Sequence, residues 1–170
     1  MRELLLWLLL TQPLHNSTPF YEENKMPMTT SGQGKAMIKD FEGFRERPYR
    51  DGDIFLIGYG HRILPQEKDL KICSQDKADQ LFEADITQAE ECLKKVMPYG
   101  LSQNQHDALI SLIYSTGCGA FRSSDIYRHL QEKNFTAALQ HWQKWTYNGW
   151  GISLMGLVDR RKKETDLFKA

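Results

Sequence analysis

Glu42 and Asp51 are the two residues whose types and setting could do chemistry together. Glu42 lies beside Phe41 and Phe44 at the end of an apolar helical stretch, and Asp51 precedes Gly52 in a polar one. A carboxyl among apolar side chains holds its proton more tightly than one in water, so such a pair can divide acid and base work. Glycoside hydrolysis needs that division. One carboxyl donates a proton to the leaving oxygen, and the other, ionised, activates a water or attacks directly. Taken alone, the same two residues also fit a solvated helix-terminal glutamate and a turn-forming aspartate.

Elements able to position them are legible from spacing. A first helix is expected from Ser31 to about Phe44, capped by Ser31, with Met37, Ile38, Phe41 and Phe44 on one face. Pro48 is expected to stop any continuation. Tyr49 to Tyr59 reads as strand, with Asp51-Gly52 as a turn signal before the β-prone Ile54-Phe55-Leu56-Ile57. From Ser74 onward, Ala78, Phe82, Ile86, Ala89, Leu93 and Val96 form a helical stripe that Pro98 and Gly100 end. Ser102 and Gln105 make a capping-box pair ahead of Ala108-Leu109-Ile110 and Leu112-Ile113. That run is apolar around most of its circumference, which marks a buried central helix ended by Gly117 and Gly119. Shorter helices are expected near Ser124 to Lys133 and Thr136 to Trp145. A glycine-rich loop follows from Tyr147 to Gly156, and a last helix from Leu157 to Phe168. The class is α+β and mainly helical.

Lys plus Arg and Asp plus Glu are both 22, a net charge of zero that disfavours a dedicated nucleic-acid binder. No segment reaches the roughly 18 to 20 apolar residues of a membrane span. Leu4 to Leu10 is leader-like, but Arg2 is offset by Glu3 and no small-x-small cleavage site follows. Thr11 to Thr30, with Pro13, Pro19 and Pro27, reads as linker. The expected division is therefore a leader-like or linker segment over 1–30 and one domain over 31–170. Cys73, Cys92 and Cys118 form no Cys-x-x-Cys. Three reduced, buried thiols are the first reading, and one disulfide plus a free thiol the alternative. No metal-ligand spacing occurs, so no metal and no cofactor are expected.

Several motifs go further together. Ser31-x-x-Gly34-x-x-x-Ile38-x-x-Phe41-Glu42-Gly43, Tyr49-Arg50-Asp51 and Ile57-Gly58-Tyr59-Gly60-His61 run in order. They are followed by Leu101 to Leu109, Gly117-Cys118-Gly119-Ala120-Phe121 and Gly156-Leu157-Val158-Asp159-Arg160-Arg161-x-x-Glu164. From Ser31 to the C-terminus the chain resembles the phage-type lysozymes, glycoside hydrolase family 24. The resemblance implies a two-lobed fold: a small β-hairpin lobe, a long connecting helix and a helical C-terminal lobe. It implies Glu42 as general acid, Asp51 as second carboxylate, and Tyr59, Gly60 and Ser115 as substrate-binding positions. The implied activity is cleavage of the β-1,4 bond between N-acetylmuramic acid and N-acetylglucosamine, as an endolysin or antibacterial toxin. The implied partner is bacterial peptidoglycan, met by a monomer that is made in the bacterial cytoplasm and acts on the wall in the periplasm.

The chain departs from that family at Leu56, where the family carries a threonine that helps hold the attacking water. The hairpin is also one residue shorter. Asp53 is a candidate replacement, its ordinary reading being a turn aspartate. Ser115 stands where the family often has Asn or Gln. These departures motivate the rival reading, a weakened lysozyme-fold protein that binds a glycan or a protein. His61 is expected to be a hydrogen-bonding post behind the sheet, Trp142 a core residue, Trp150 an exposed ring, and Arg160-Arg161 with Glu164 an ion-paired anchor for the last helix.

Overall fold

The computed structural model describes residues 28–97, 100–146 and 154–170, so the Leu4 to Leu10 run and Trp150 lie outside the described residues. The first helix, α1 (Gly32–Glu42), begins as expected: the Ser31 hydroxyl accepts from the Gly34 N–H at 3.0 Å. Such a cap contributes about 1 kcal/mol. The helix stops at Gly43, whose φ of 65° is left-handed. It is therefore shorter than expected, and Phe44 is exposed.

The expected strand segment with its Asp51-Gly52 turn is present as a hairpin that begins earlier and gains a third strand: β1 (Arg45–Asp51), β2 (Ile54–Gly58) and β3 (His61–Arg62), antiparallel in that order. Gly52, with φ 57°, opens the two-residue loop between β1 and β2. A glycine at that first loop position suits the mirror-image hairpin turns, whose twist matches the strands. Pro48 does not stop a helix; it sits inside β1. There β1 is an edge strand and its ladder slips between Arg45 and Tyr49, so a residue without an N–H costs no sheet hydrogen bond.

A 3-10 turn at Pro65–Glu67 leads into α2 (Gln75–Val96), capped by Ser74. Its buried stripe is the expected one, widened by Leu81 and Cys92. In α3 (Gln103–Thr116) both halves of the Ser102–Gln105 capping box are made, and every residue from His106 to Ile113 is buried. Gly117 ends α3, but the chain re-enters a helix at once: α4 (Cys118–Arg122) contains Gly119, where a break is expected from sequence. Then come α5 (Asp125–Gln131), α6 (Phe135–Lys144) and α7 (Met155–Lys169). Gly156 belongs to α7 rather than to a loop, and residues 147–153 of the expected loop lie outside the described residues.

Two apolar clusters organise the molecule. The larger surrounds α3 and gathers Ile38, Phe82, Leu109, Phe121, Leu130, Trp142 and Phe168. The smaller one, Ile57, Cys73, Ala78 and Leu81, fastens the sheet to α2. The helix α1 approaches α3 closely because Gly34 carries no side chain: a Cβ there would lie 2.7 Å from Asp107 Cγ. Buried Asp107 accepts from the Ser31 N–H at 3.0 Å and from Gln103 Nε2 at 2.8 Å, which locks the start of α1 to α3.

The expectation of three free thiols is corrected. Cys92 of α2 and Cys118 of α4 form a disulfide, with Cα atoms 6.0 Å apart, and only Cys73 stays a buried free thiol. The bond depends on α4, a helix that local spacing does not reveal. Nor does spacing carry information on which helix faces bring two cysteines within the reach of a bridge.

Candidate active site

Glu42 ends α1 with its side chain 18% exposed, and its surroundings are ionic rather than apolar. Its Oε1 accepts from Arg160 Nη1 at 2.6 Å. Its Oε2 faces Gly60, where an added Cβ would come within 2.8 Å of that oxygen. Gly60 also has φ 79°. The turn between β2 and β3 can therefore lie against the carboxylate only because residue 60 lacks a side chain.

Arg160 is held in turn. Its Nε donates to Glu164 Oε1 at 3.1 Å, and its Nη2 donates to the Ser111 carbonyl at 3.0 Å. Glu164 is completely buried and also accepts from Ser111 Oγ at 2.6 Å, from Trp142 Nε1 at 2.8 Å and from Arg161 Nη1. Two buried guanidinium groups thus share one fully satisfied carboxylate, the arrangement in which a buried charge is tolerable. The expected anchor of α7 is present and has a second end at Glu42. Burial pushes the Arg161 guanidinium below its ordinary value, with Glu164 opposing. Trp142 is a core residue as expected, edge-on to Phe168.

Asp51, the last residue of β1, is exposed and pairs with Ile54 across the turn. Residues two apart on a strand share a face, and so do cross-strand partners. Tyr49 and Asp51 therefore share a face with Leu56 and Ile54. The opposite face carries Ile57, which is packed on α2. Tyr49 is half-buried, with the Arg45 guanidinium 5.8 Å from its ring centre. Burial raises the Tyr49 phenol above its ordinary value. The charge of Glu42 adds to the rise, Arg45 opposes it, and Asp51 adds the least. The phenol thus stands in the fields of both candidate carboxylates.

The other positions expected to meet substrate are engaged in structure as well. Tyr59 is in ring contact with Phe44 and Phe82, receives a hydrogen bond on its hydroxyl from Gln75, and offers its carbonyl to the Tyr114 hydroxyl. Burial raises the Tyr114 phenol far above its ordinary value, so that hydroxyl remains a donor. The Ser115 hydroxyl accepts from Arg161 Nη2 and donates to the Leu112 carbonyl. It is tied to the network behind Glu42. Asp53 is fully exposed and lies 3.6 Å from Arg50, an ordinary turn aspartate. His61 is the expected post: buried, with Nδ1 2.8 Å from Asp85 and Nε2 3.1 Å from Glu67. Among the described residues no group of three or more His, Cys, Asp or Glu is placed to hold a metal. An open groove of about 430 Å³ is lined by Arg122, Ser124, Asp125, Tyr127 and Arg128, and none of the candidate site residues borders it.

Two residues of the site do not stand out in the sequence. Arg160 reads there only as an anchor, because its bond to Glu42 spans 118 residues. Tyr49 reads only as part of a motif, although its place two residues before Asp51 on a strand is a signal for a shared face.

The arrangement offers one carboxylate gripped at a helix end and one free on a hairpin, with a phenol between their fields. The model of the family described as Phage lysozyme matches residues 39–164. The endolysin of Bacillus phage B103 is 35% identical over 83% of this chain, although the chain spans only 54% of that relative's length. The endolysin of Acyrthosiphon pisum secondary endosymbiont phage 1 is 31% identical over 84% of the chain and 99% of its own length. The muramidase domain of SpmX from Asticaccaulis excentricus superposes with a TM-score of 0.74, at 33% identity, covering 84% of this chain and 98% of that one.

Proposed function

Because the chain belongs to the phage lysozyme family, we propose that it is a muramidase with Glu42 as its general acid and Asp51 as its general base. The substrate is bacterial peptidoglycan, cut at the β-1,4 bond between N-acetylmuramic acid and N-acetylglucosamine. Glu42 gives its proton to the leaving oxygen. Asp51 takes a proton from the water that attacks the anomeric carbon from the other side. The observation that carries this reading is the two-sided hold on Glu42: Arg160 grips Oε1, while Oε2 lies against the bare backbone of Gly60. An acid must keep a fixed direction toward the bond it protonates, and misplacement by about 1 Å can cost about a hundredfold in rate.

Tyr59 and Gly60 are the sugar-facing part of the turn. Gly60 contributes its backbone, and Ser115 contributes mainly by holding Arg161 in place. The protein works as a monomer on the wall, reached from the periplasm after synthesis in the bacterial host, as an endolysin or an antibacterial toxin. It needs no metal or other cofactor.

The test is the loss of turbidity of purified peptidoglycan or permeabilised Gram-negative cells, natural chain against Glu42→Gln. Clearing by the first and none by the second is the expected result. If the natural chain fails to clear several wall types at high enzyme, the reading falls and a glycan- or protein-binding role takes its place.

A further inference from the structure

One face of the sheet presents the base, Asp51, next to an apolar residue. Leu56 lies opposite Tyr49, on the face that Asp51 shares. A water that attacks a sugar from Asp51 needs a second polar contact to fix its direction, and an alkyl side chain gives none. One hydroxyl stands on that same face, the phenol of Tyr49.

We propose that the Tyr49 hydroxyl is a third polar group of the reaction centre, hydrogen-bonding the attacking water that Asp51 deprotonates. The inference rests on the muramidase reading. Tyr49 and Asp51 are two residues apart on one strand, which sets their side chains side by side on one face. The half-buried phenol feels the charge of Glu42 and of Asp51, the acid and the base of that reading. Among the described residues, none hydrogen-bonds its hydroxyl. Arg45, 5.8 Å from the ring centre, contacts the ring without occupying that oxygen. Tyr49 is therefore the residue on this face that combines a hydroxyl, a half-buried ring and a place in both fields.

The step balances without a change in Tyr49. The water's oxygen bonds to the anomeric carbon, one water proton passes to Asp51, and the glycosidic C–O bond breaks. The leaving oxygen takes the proton of Glu42. The phenol keeps its own proton throughout, which its raised pKa favours.

The experiment compares four full-length chains on solubilised glycan strands: natural, Tyr49→Phe, Tyr49→Phe with Leu56→Thr, and Glu42→Gln. Tyr49→Phe keeps the ring and the Arg45 contact and removes only the hydroxyl. It is expected to lower kcat about tenfold or more, the usual weight of one polar contact, with KM nearly unchanged. Leu56→Thr, directly across the ladder, restores a hydroxyl to the same face and is expected to recover much of the lost kcat. A Tyr49→Phe chain with the natural kcat overturns the inference. So does a loss that appears in KM, or one that Leu56→Thr does not relieve, because both mark a packing role. If the natural chain is active and Glu42→Gln is dead while Tyr49→Phe is unimpaired, this inference fails alone. A natural chain without activity defeats the muramidase reading itself.

Discussion

Glu164, completely buried, is bonded by Ser111, Trp142, Arg160 and Arg161 from α3, α6 and its own helix α7. The carboxylate of Asp51, at the end of an exposed edge strand, receives a hydrogen bond from none of the described residues. The helical body and the hairpin are thus stabilised by different means. The body bonds the charges it buries around Glu164 and passes that order to Glu42 through Arg160. The sheet is fastened to α2 by a small apolar contact and by the His61–Asp85 hydrogen bond at its β3 edge, and the hairpin leaves the Asp51 carboxylate in water. The proposed acid and the proposed base differ in the same way: Glu42 is held by a long-range bond to Arg160, and Asp51 by its place at the end of a strand.

The largest effect is expected at Glu164. Replacing it with alanine leaves Arg161 bonded to Ser115 alone among the described residues and removes one side of the grip on Arg160. Removing one member of a buried ionic group costs about 3 to 5 kcal/mol. In a chain of this size that lowers Tm by roughly 10 °C. Thermal unfolding followed by circular dichroism measures it. A shift no larger than that of an exposed glutamate such as Glu91 would mean that the network is not what holds the body together.

Next in size is the Cys92–Cys118 bridge, which joins α2, the support of the sheet, to α4 of the body across a separation of 26 residues. Closing a loop of that length stabilises by about 3 kcal/mol in the chain-entropy account. Cys92→Ala with Cys118→Ala, or a reductant, is expected to lower Tm by close to that equivalent, while Cys73→Ala leaves the redox response intact. Equal Tm values with and without reductant would show that the two regions are coupled by packing alone.

The elements written in local sequence are legible there: the apolar circumference of α3, its Ser102–Gln105 cap and the stripe of α2 each depend on residues within a few turns. Glu42 and Asp51 stand out in the sequence as a candidate pair, and Leu56 as a departure from the pattern of the family the chain resembles. What cannot be read joins distant parts of the chain. Arg160 reaches Glu42, Cys92 finds Cys118, and Gly34 clears space for Asp107 only once helices have packed. The three-stranded sheet is hidden for a different reason. Gly52 and Gly60 mark turns, yet β3 is too short for any periodicity to show.

The attachment of the hairpin to α2 is sharpened by pH. His61 of β3 has its pKa raised, first by the hydrogen bond to Asp85 of α2, with Glu67 adding to it and burial opposing. A raised pKa means the folded state holds the proton more tightly. The resulting stability is fully present below the ordinary value of 6.5 and is lost as pH rises through the raised value. The Tm advantage of the natural chain over His61→Asn is therefore expected to be larger at about pH 5.5 than at about pH 8.5. An advantage that does not change with pH would mean that His61 acts as a neutral hydrogen-bonding post, and that the sheet's hold on α2 is apolar.

The smallest effect belongs to the tip of the hairpin. Asp53 is fully exposed, and its nearest cation, the Arg50 guanidinium, is 3.6 Å away and itself largely in water. Pairs of that kind are screened and contribute little, so Asp53→Ala is expected to leave Tm unmoved. Its activity is the sharper readout. Asp53 follows Gly52 in the turn, beyond the Asp51–Ile54 pair that closes the ladder, and it is not on the face formed by Tyr49, Asp51 and Leu56. If the missing hydroxyl at 56 is made good from that face, Asp53→Ala clears peptidoglycan at the natural rate. If the turn aspartate is the substitute, the variant loses rate while its Tm stays the same. That outcome would move the working part of the hairpin from its ladder to its tip, and the base would then depend on a residue that the ladder does not hold.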